Sequence, residues 1–380
     1  MNPDFEQVLR APNADKRDLF LAVARRLGTT EQNIEKDFWV CWILDALFNA
    51  LPRNGPRLLF KGGTSLSKGY GLIKRFSEDI DITVFRGDIG EPTTTADLEA
   101  LTGKKRKARL DAIRNACRQF IQGPLRAELS TAVAHHLAQC KIGHEEDCVI
   151  PDEHDPDQQS LLFCYPSVTA PTDTEYIRPA VKIESGAKSA LDPHEIRTIV
   201  PFVAEELVSF NLAVQNVTTV HPARTFWDKI IILHGVRQWF DRRHELRQEG
   251  QRVSRHYYDV HQMLASTIGV EAARDRQLGV DCVRHARMFF SRPDLGLESA
   301  LPGAFTLVAA PGMLDHLRRD YKSMTGMVFG ITPAFDEVLE SIQRLGASLN
   351  GASPAVRPIR ELVLTGIKGL RLEGALSALA

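Results

Sequence analysis

Two short motifs constrain the fold of this chain more than any other feature. The first, at 61–65, places two glycines after the apolar run 58–60, and the second, at 77–81, ends in two aspartates separated by one residue. Glycines after a strand let the backbone approach a ligand, and the N–H groups that open the next helix bind phosphate oxygens. The sequence therefore predicts a strand, a tight turn and a short helix, with a phosphate-binding set of Gly62, Gly63, Thr64 and Ser65.

The second motif predicts a metal site. Residues 80–85 alternate polar and apolar side chains as a half-buried strand does, so Asp79 and Asp81 are expected on one face of that strand. Two carboxylates on one face repel each other unless a cation compensates them, and Mg²⁺ prefers such oxygen ligands. The strand-like segment 180–184 offers Glu184 as a third ligand, with a surface pair between Lys182 and Glu184 as the alternative.

The remaining pattern predicts an α+β fold, with a small mixed sheet flanked by helices and a helical C-terminal domain. A repeat of apolar residues predicts an amphipathic helix at 33–48, and the composition of 97–138 predicts two helices separated at Gly123-Pro124. Further strands are expected at 161–165, 180–184, 199–203 and 216–220. Helices follow at 222–248, 255–267, 279–290, 312–325, 335–346 and 355–370. These elements divide the chain into an N-terminal helical segment (1–50), a catalytic core (51–220) and a helical C-terminal domain (221–380) that completes the ligand site.

Composition limits the classes of partner. Forty-seven Lys and Arg residues against 48 Asp and Glu give a formal net charge of −1, so a nucleic-acid partner would be held by a local patch. No stretch approaches the roughly 18 consecutive apolar residues of a membrane span, and nothing at the start resembles a targeting signal. We expect a cytoplasmic protein without a membrane partner, whose six cysteines are reduced.

Two basic segments are candidates for RNA contact, although a run of charges is more often a solvated helix face. The first and less mixed comprises Lys104, Lys105, Arg106, Lys107, Arg109, Arg114 and Arg118. The second comprises Arg237, Arg242, Arg243, His244, Arg247, Arg252 and Arg255, interspersed with acids.

The two motifs closely resemble a signature of one known family. KGGTSL at 61–66 with RFSEDID at 75–81 is similar to the first motif of the AbiEii-type nucleotidyltransferase toxins, a branch of the DNA polymerase β-like superfamily. Further similarities span about 34–345 and lie at EKDFWV (35–40), RTFWDK (224–229), RHYYDV (255–260), DYKSM (320–324) and FG (329–330).

The resemblance implies a metal-dependent enzyme that transfers a nucleotidyl group from an NTP and releases pyrophosphate. It implies the toxin of a toxin–antitoxin or phage-defence system, with a cognate antitoxin as partner and RNA, notably the 3′ end of tRNA, as acceptor. Mg²⁺ is the implied cofactor, which Mn²⁺ could replace. Carried over to this chain, Gly63 and Thr64 would hold the triphosphate, Asp79 and Asp81 the metal, and Lys229 the NTP phosphates, with Asp259 supporting the lysine.

From the residues alone, the last two assignments stay open. Lys229 lies beside a strongly apolar helix flank, where it could reach a phosphate or simply extend from a buried helix into solvent. Asp259 could likewise pair with Arg255, four residues earlier. Only the resemblance favours the catalytic interpretation of both.

Ser77 is the last candidate for the NTP site. If the strand already runs through Ser77, its hydroxyl shares the face of Asp79 and Asp81, and a phosphoryl or nucleotidyl group on it would compete with the NTP. Otherwise the serine caps the turn after Phe76.

The lead hypothesis is a Mg²⁺-dependent nucleotidyltransferase that acts on RNA. Two alternatives come from other classes: a non-catalytic protein that keeps the fold to bind RNA or an antitoxin, and a glycosyltransferase that uses an Asp-x-Asp pair with a sugar nucleotide. The intact Asp79 and Asp81 argue against the first, and the Gly-Gly-Thr turn is not explained by the second.

Overall fold

One mixed sheet of seven short strands forms the centre of the computed structural model, which describes residues 1–143, 147–169, 179–247 and 252–351. The strands lie in the order β3-β4-β5-β2-β1-β7-β6. Their bounds are β1 Leu58–Lys61, β2 Ile80–Val84, β3 Val149–Pro151, β4 Ser160–Cys164, β5 Ala180–Glu184, β6 His194–Ile199 and β7 Val214–Val220. The predicted α+β class is confirmed.

The middle of the sheet brings the two sequence motifs together. Strand β2 pairs antiparallel with β1 and parallel with β5. In this register Asp81 lies opposite Lys61 on one side and opposite Glu184 on the other. Adjacent strands lie about 4.8 Å apart, so these three side chains are neighbours across the sheet.

Thirteen helices pack around the sheet and beyond it in the described part of the chain. Those of the first half are α1 Pro3–Arg10, α2 Asn13–Leu27, α3 Glu31–Asp45, α4 Gly62–Thr64, α5 Thr95–Glu99, α6 Gly103–Phe120 and α7 Arg126–Gln139. Those of the second half are α8 Pro222–Arg243, α9 Ser254–Leu264, α10 Thr267–Arg274, α11 Arg276–Phe289, α12 Leu314–Met324 and α13 Phe335–Leu349. The predicted helix 355–370 lies outside the described residues, and no described helix is long and apolar enough to cross a membrane.

Local sequence explains where these helices begin. The side chains of Thr30, Ser266 and Asp275 each accept a hydrogen bond from a backbone N–H in the first turn of the helix that follows. Pro222 occupies the first position of α8, where its missing N–H leaves no intrahelical bond unmade. Each of these four helix starts therefore has a residue type that suits the unpaired backbone groups of a first turn.

Two large apolar clusters divide the interior of the described part of the chain, beside a small one of Leu59, Phe85 and Val220. The larger one joins the sheet to α1, α2, α3, α6 and α7, and includes Trp42 and Phe163, whose rings stack 5.5 Å apart. The second joins α8 to the later helices around Trp227 and Tyr257. Leu66, from the turn that continues α4, belongs to this second cluster, so the glycine turn lies where the two clusters meet.

Several predicted elements differ from the structure. Helix α3 is not amphipathic, because it is buried on all sides and even Glu35, Lys36 and Asp37 are enclosed. The two helices predicted around Gly123-Pro124 are present as α6 and α7, but they are joined by a continuous π-helical turn at Ile121–Leu125, which accommodates the proline that lacks an N–H.

The strand predicted at 199–203 is wrong. The strand lies at His194–Ile199, and a 3₁₀ turn follows at Phe202–Glu205. Pro201 cannot donate a ladder hydrogen bond, which accounts for the end of the strand before it. Helices α1, α2 and α10 and strand β3 were not predicted.

Candidate active site

A cavity of about 530 Å³ lies between the sheet and helices α8, α9 and α11. This volume is within the range of small-molecule sites, about 300 to 1,000 Å³. Its lining is polar near the sheet, with Gly62, Gly63, Asp79, Asp81 and Glu184. Farther along α8 it becomes apolar, and the rise of the helix separates Lys229 from Trp239 by about 15 Å. The cavity therefore has a charged end and an apolar end.

The three predicted acids, Asp79, Asp81 and Glu184, all line the charged end. Asp81 lies within β2 and faces Glu184 of β5, whereas Asp79 immediately precedes β2 instead of lying within it. Lys182 Nζ is 2.9 Å from a carboxylate oxygen of Glu184. Among the described residues, no three metal-binding side chains are already gathered around one point. Mg²⁺ commonly uses one or two carboxylates and completes its shell with water and substrate phosphates, so such a site would be completed by the ligand.

The electrostatics of this cluster favour a bound cation. Burial and the nearby carboxylates of Glu78 and Glu184 raise the pKa of Asp79 to about 6. Burial also raises the pKa of Asp81, and Lys61 counteracts part of this shift. Carboxylates whose ionised form is disfavoured by burial and by one another are stabilised by a positive ion placed among them.

Glycine is required in the turn between β1 and α4 for steric reasons. Gly62 has φ +81°, and a Cβ there would lie 2.0 Å from a carboxylate oxygen of Asp81. A Cβ on Gly63 would lie 2.5 Å from Nη2 of Arg75. Both glycines therefore let the backbone approach the acids and the arginine more closely than any side chain would permit.

The hydroxyl groups next to this turn hold the turn itself. Thr64 and Ser65 are fully buried and do not line the cavity, and Ser65 Oγ donates to the carbonyl of Gly62. Thr64 Oγ1 lies 2.8 Å from Ser77 Oγ, and Ser77 lines the cavity although it precedes the strand. The strand does not run through Ser77, so the condition for its hydroxyl to share a strand face with Asp79 and Asp81 is not met. The expected contacts of Thr64 and Ser65 with phosphate remain predictions.

Asp259 joins two cations beneath the cavity. Its carboxylate accepts hydrogen bonds from Arg75 at 2.7 and 2.8 Å and lies 2.8 Å from Nζ of Lys229. Burial alone would raise the pKa of Asp259, but Arg75 and Lys229 outweigh it and hold the pKa well below its usual range. Burial lowers the pKa of Lys229, opposed by Asp259.

This triad decides between the interpretations of two residues. Lys229 is buried and paired rather than extended into solvent, and it lines the cavity. Asp259 pairs with Arg75 and Lys229 instead of Arg255, and it does not line the cavity. Asp259 therefore positions the two cations from behind.

Other site residues were missed from the sequence. Lys36 of α3 lies 2.8 Å from Glu78, and Asp37 forms a buried ion pair with Lys68, at the end of the turn after α4. Charges within an otherwise apolar helix were the available signal, because fully buried charges are almost always paired. Helix α3 thus supports both motif loops.

The two predicted basic segments lie in different places. Lys104, Lys105 and Lys107 are exposed on α6, and no residue of that segment lines the cavity. From the second segment, Arg247, Arg252 and Arg255 line the cavity. Arg252 lies 3.9 Å from both Glu78 and Asp79. RNA contact by either segment stays a prediction.

A glycine turn after a strand, one acid just before the neighbouring strand, one acid within it and a buried lysine line a single cavity, as expected of a nucleotidyltransferase. A family model described as "Nucleotidyl transferase AbiEii toxin, Type IV TA system" matches residues 43–341, and the chain belongs to this family. The predicted resemblance is confirmed, and membership of a type IV toxin–antitoxin family implies an antitoxin partner.

Two further comparisons accompany this match. The solved structure of MenT4, a nucleotidyltransferase toxin from Mycobacterium tuberculosis H37Rv, is similar with 16% identity and a TM-score of 0.41. The alignment covers 88% of this chain and 99% of the MenT4 chain. Among curated proteins, no sequence match to the chain was found.

Proposed function

We propose that this toxin transfers a nucleoside monophosphate from an NTP to an RNA acceptor, with the 3′ end of tRNA as the preferred acceptor and Mg²⁺ as the cofactor. One observation carries the proposal: the acids Asp79, Asp81 and Glu184, the turn at Gly62 and Gly63, and Lys229 all line one cavity. NTPs and tRNA occur together in the cytoplasm, so the proposed reaction takes place there.

The two ends of the cavity suit the two ends of an NTP. The backbone of Gly62 and Gly63 lines the charged end of the cavity, and Lys229, held by Asp259, supplies a positive charge to the same cavity. The apolar end is lined by Ile232, Val236 and Trp239 and suits a nucleobase.

Unpartnered polar atoms also support a bound ligand. Within the described ranges, Trp239 Nε1 and His256 Nδ1 are buried without a hydrogen-bond partner, and both side chains line the cavity. Burial, Lys229 and Arg255 keep the pKa of His256 well below its usual value, so the ring is neutral. Buried polar atoms nearly always have a hydrogen-bond partner. Atoms of a bound base or ribose would supply the partners that these two atoms lack.

The residues at the charged end fit Mg²⁺. Asp79, Asp81 and Glu184 offer only hard oxygen donors, and two of them have raised pKa values that a cation would reverse. A bound Mg²⁺ would activate the attacking hydroxyl and neutralise the leaving pyrophosphate. The acceptor oxygen bonds to the α-phosphorus, the bond to the bridging oxygen of the β-phosphate breaks, pyrophosphate leaves, and the hydroxyl proton passes to solvent water.

Incubation with labelled nucleotides tests the proposal against both alternatives. Purified protein is mixed with total tRNA and each α-³²P-labelled NTP, or with labelled sugar nucleotides, with Mg²⁺ or with EDTA. We expect label on tRNA from an NTP and none with EDTA. Transfer of label from a sugar nucleotide would support a glycosyltransferase. If the protein binds RNA but transfers no label, the non-catalytic alternative is supported.

Replacing Lys229 with alanine is expected to weaken NTP binding. A charge-assisted hydrogen bond to phosphate contributes about 1.5 to 3 kcal/mol, so the dissociation constant should rise by roughly 10- to 150-fold. Titration calorimetry with Mg²⁺ present measures it. Lys104→Ala, exposed on α6, is the control and should leave NTP affinity unchanged. Unchanged affinity in Lys229→Ala would assign the lysine to structure alone.

Ser77→Glu is expected to abolish transfer, whereas Ser77→Ala should keep at least part of it. The glutamate adds a carboxylate next to Asp79, in the path of the phosphates. Ser77→Gln has the same shape without the charge and separates repulsion from bulk. Transfer rates are measured at saturating Mg²⁺. A fully active Ser77→Glu enzyme would show that this side chain points away from the NTP.

A further inference from the structure

A narrow groove of about 60 Å³ adjoins the active-site cavity beside Asp79. The groove and the cavity share Arg75, Ser77, Asp79, Arg252 and Arg255. The other walls of the groove come from the loop before β2, the start of α9 and the end of α12. Asp79 is thus approached from two directions.

Three arginines, Arg75, Arg252 and Arg255, and three acids, Glu78, Asp79 and Asp320, line this groove, and two of the acids are already engaged. Glu78 is paired with Lys36 at 2.8 Å. Asp320 accepts hydrogen bonds from the backbone N–H groups of Arg252 and Ser254, and from the hydroxyl of Ser254. This bonding fixes the start of α9, and with it Arg252 and Arg255, two of the three arginines that line the groove.

The positive charge continues along α12. Arg319 and Lys322 are three residues apart on this helix, so they lie on one side of it, next to the stripe that carries Asp320 and Ser323. Both cations are exposed, and in the described part of the chain neither lies within 4 Å of a carboxylate. They form an exposed cationic strip on the same helix that contributes Asp320, Ser323 and Met324 to the groove.

We propose that this groove admits the 3′-terminal hydroxyl group of a single-stranded RNA acceptor and that Arg319 and Lys322 bind the phosphates that precede it. The inference rests on the proposed function and names the route of its acceptor. The groove is too narrow for a duplex, and single-stranded ends are the parts of RNA that proteins can draw into such a site. Met324 and Met327 provide an adaptable apolar wall, which suits contact with a base of any sequence.

The chemistry of transfer requires a second approach of this kind. With the NTP in the larger cavity, the attacking and leaving oxygens must lie roughly in line through the α-phosphorus. The terminal hydroxyl of the acceptor therefore reaches the α-phosphorus from the groove, while pyrophosphate leaves into the cavity. The acceptor gains the new phosphodiester bond and gives its hydroxyl proton to solvent water.

Charge reversal on two helices tests the route by binding alone. Arg319→Glu/Lys322→Glu changes the strip, and Lys104→Glu/Lys105→Glu makes the same change of charge on α6. Binding of a labelled single-stranded RNA oligonucleotide is measured by fluorescence anisotropy. For the first variant the dissociation constant should rise roughly tenfold or more, and the slope of log affinity against log salt concentration should fall in magnitude by about 1.4. NTP affinity should be unchanged in both variants. Weakened binding only in the α6 variant would overturn the proposal.

Photocrosslinking gives a second readout that needs no activity. An oligonucleotide with a 3′-terminal 4-thiouridine is irradiated with the wild-type protein, and the modified peptide is identified by mass spectrometry. We expect crosslinks within 252–255 or 323–327, whereas crosslinks on α6 would contradict the groove. Correct crosslinks without any transfer from labelled NTPs would instead contradict the proposed function and leave the groove as an RNA-binding site.

Discussion

Asp79→Ala and Asp81→Ala should each lower nucleotidyl transfer by a factor on the order of 10³ or more. Metal ions in such reactions provide several kcal/mol of transition-state stabilisation, and each 1.36 kcal/mol corresponds to about tenfold in rate. Transfer of ³²P from the preferred NTP to tRNA measures the loss. Asp18→Ala, exposed on α2, is the control and should transfer at the wild-type rate. Near-normal transfer by either site variant would contradict the metal mechanism.

The same variants should remain folded, and Asp79→Asn should be more stable than the wild type at neutral pH. The pKa of Asp79 is about 6 in the folded protein and about 3.9 in an unfolded chain. Its ionisation therefore costs stability as pH rises from about 4 to about 6. Thermal unfolding without metal should show a gain for Asp79→Asn at pH 7.5 that disappears below pH 4. A lower midpoint at pH 7.5 would show that the carboxylate stabilises the fold.

Magnesium provides a separate test of the same site. Ligands that bind only the folded state raise the unfolding midpoint, so Mg²⁺ with an unreactive NTP analogue should stabilise the wild type. Asp81→Ala should show little of this increase. This measurement detects binding of Mg²⁺ and the nucleotide analogue without any reaction. It therefore also identifies a protein that binds the nucleotide but does not transfer it.

The parts of the site that lie within one stretch of sequence could be predicted. The order of strand, glycine turn and alternating acids is local, and each step has a stereochemical reason that Gly62 and Asp81 illustrate. Glu184 could be proposed from strand alternation alone, but its alignment with Asp81 depends on the pairing of β5 with β2. Sequence periodicity does not specify which strands become neighbours.

The long-range parts of the site could not be predicted. Arg75 and Asp259 are separated by 184 residues, and their bond depends on how α9 packs behind the glycine turn. The ion pair of Lys36 with Glu78 similarly requires the burial of α3 beneath the loop before β2. The spacing of apolar residues in α3 predicts an amphipathic helix, whereas its charged residues Lys36 and Asp37 are paired inside the protein.

Asp259→Ala is expected to reduce the free energy of unfolding by about 3 to 5 kcal/mol, because removing one partner of a buried ion pair leaves uncompensated charge inside. Here two cations, Arg75 and Lys229, lose their shared carboxylate. Urea denaturation followed by tryptophan fluorescence measures the difference. Asp228→Ala is the matched control, since Asp228 pairs with Arg224 but is 46% exposed, and such pairs contribute at most about 1 kcal/mol.

The dependence on pH distinguishes the charge of Asp259 from its shape. Because the pKa of Asp259 is depressed in the folded protein, its contribution is fully present above the unfolded pKa of about 3.9 and is lost as pH falls further. The free-energy difference between wild type and Asp259→Asn should therefore be largest at neutral pH and shrink below about pH 4. A difference that stays constant with pH would assign the effect to packing. Equal stability of Asp259→Ala and wild type at pH 7 would show that the triad does not hold α8 and α9 to the glycine turn.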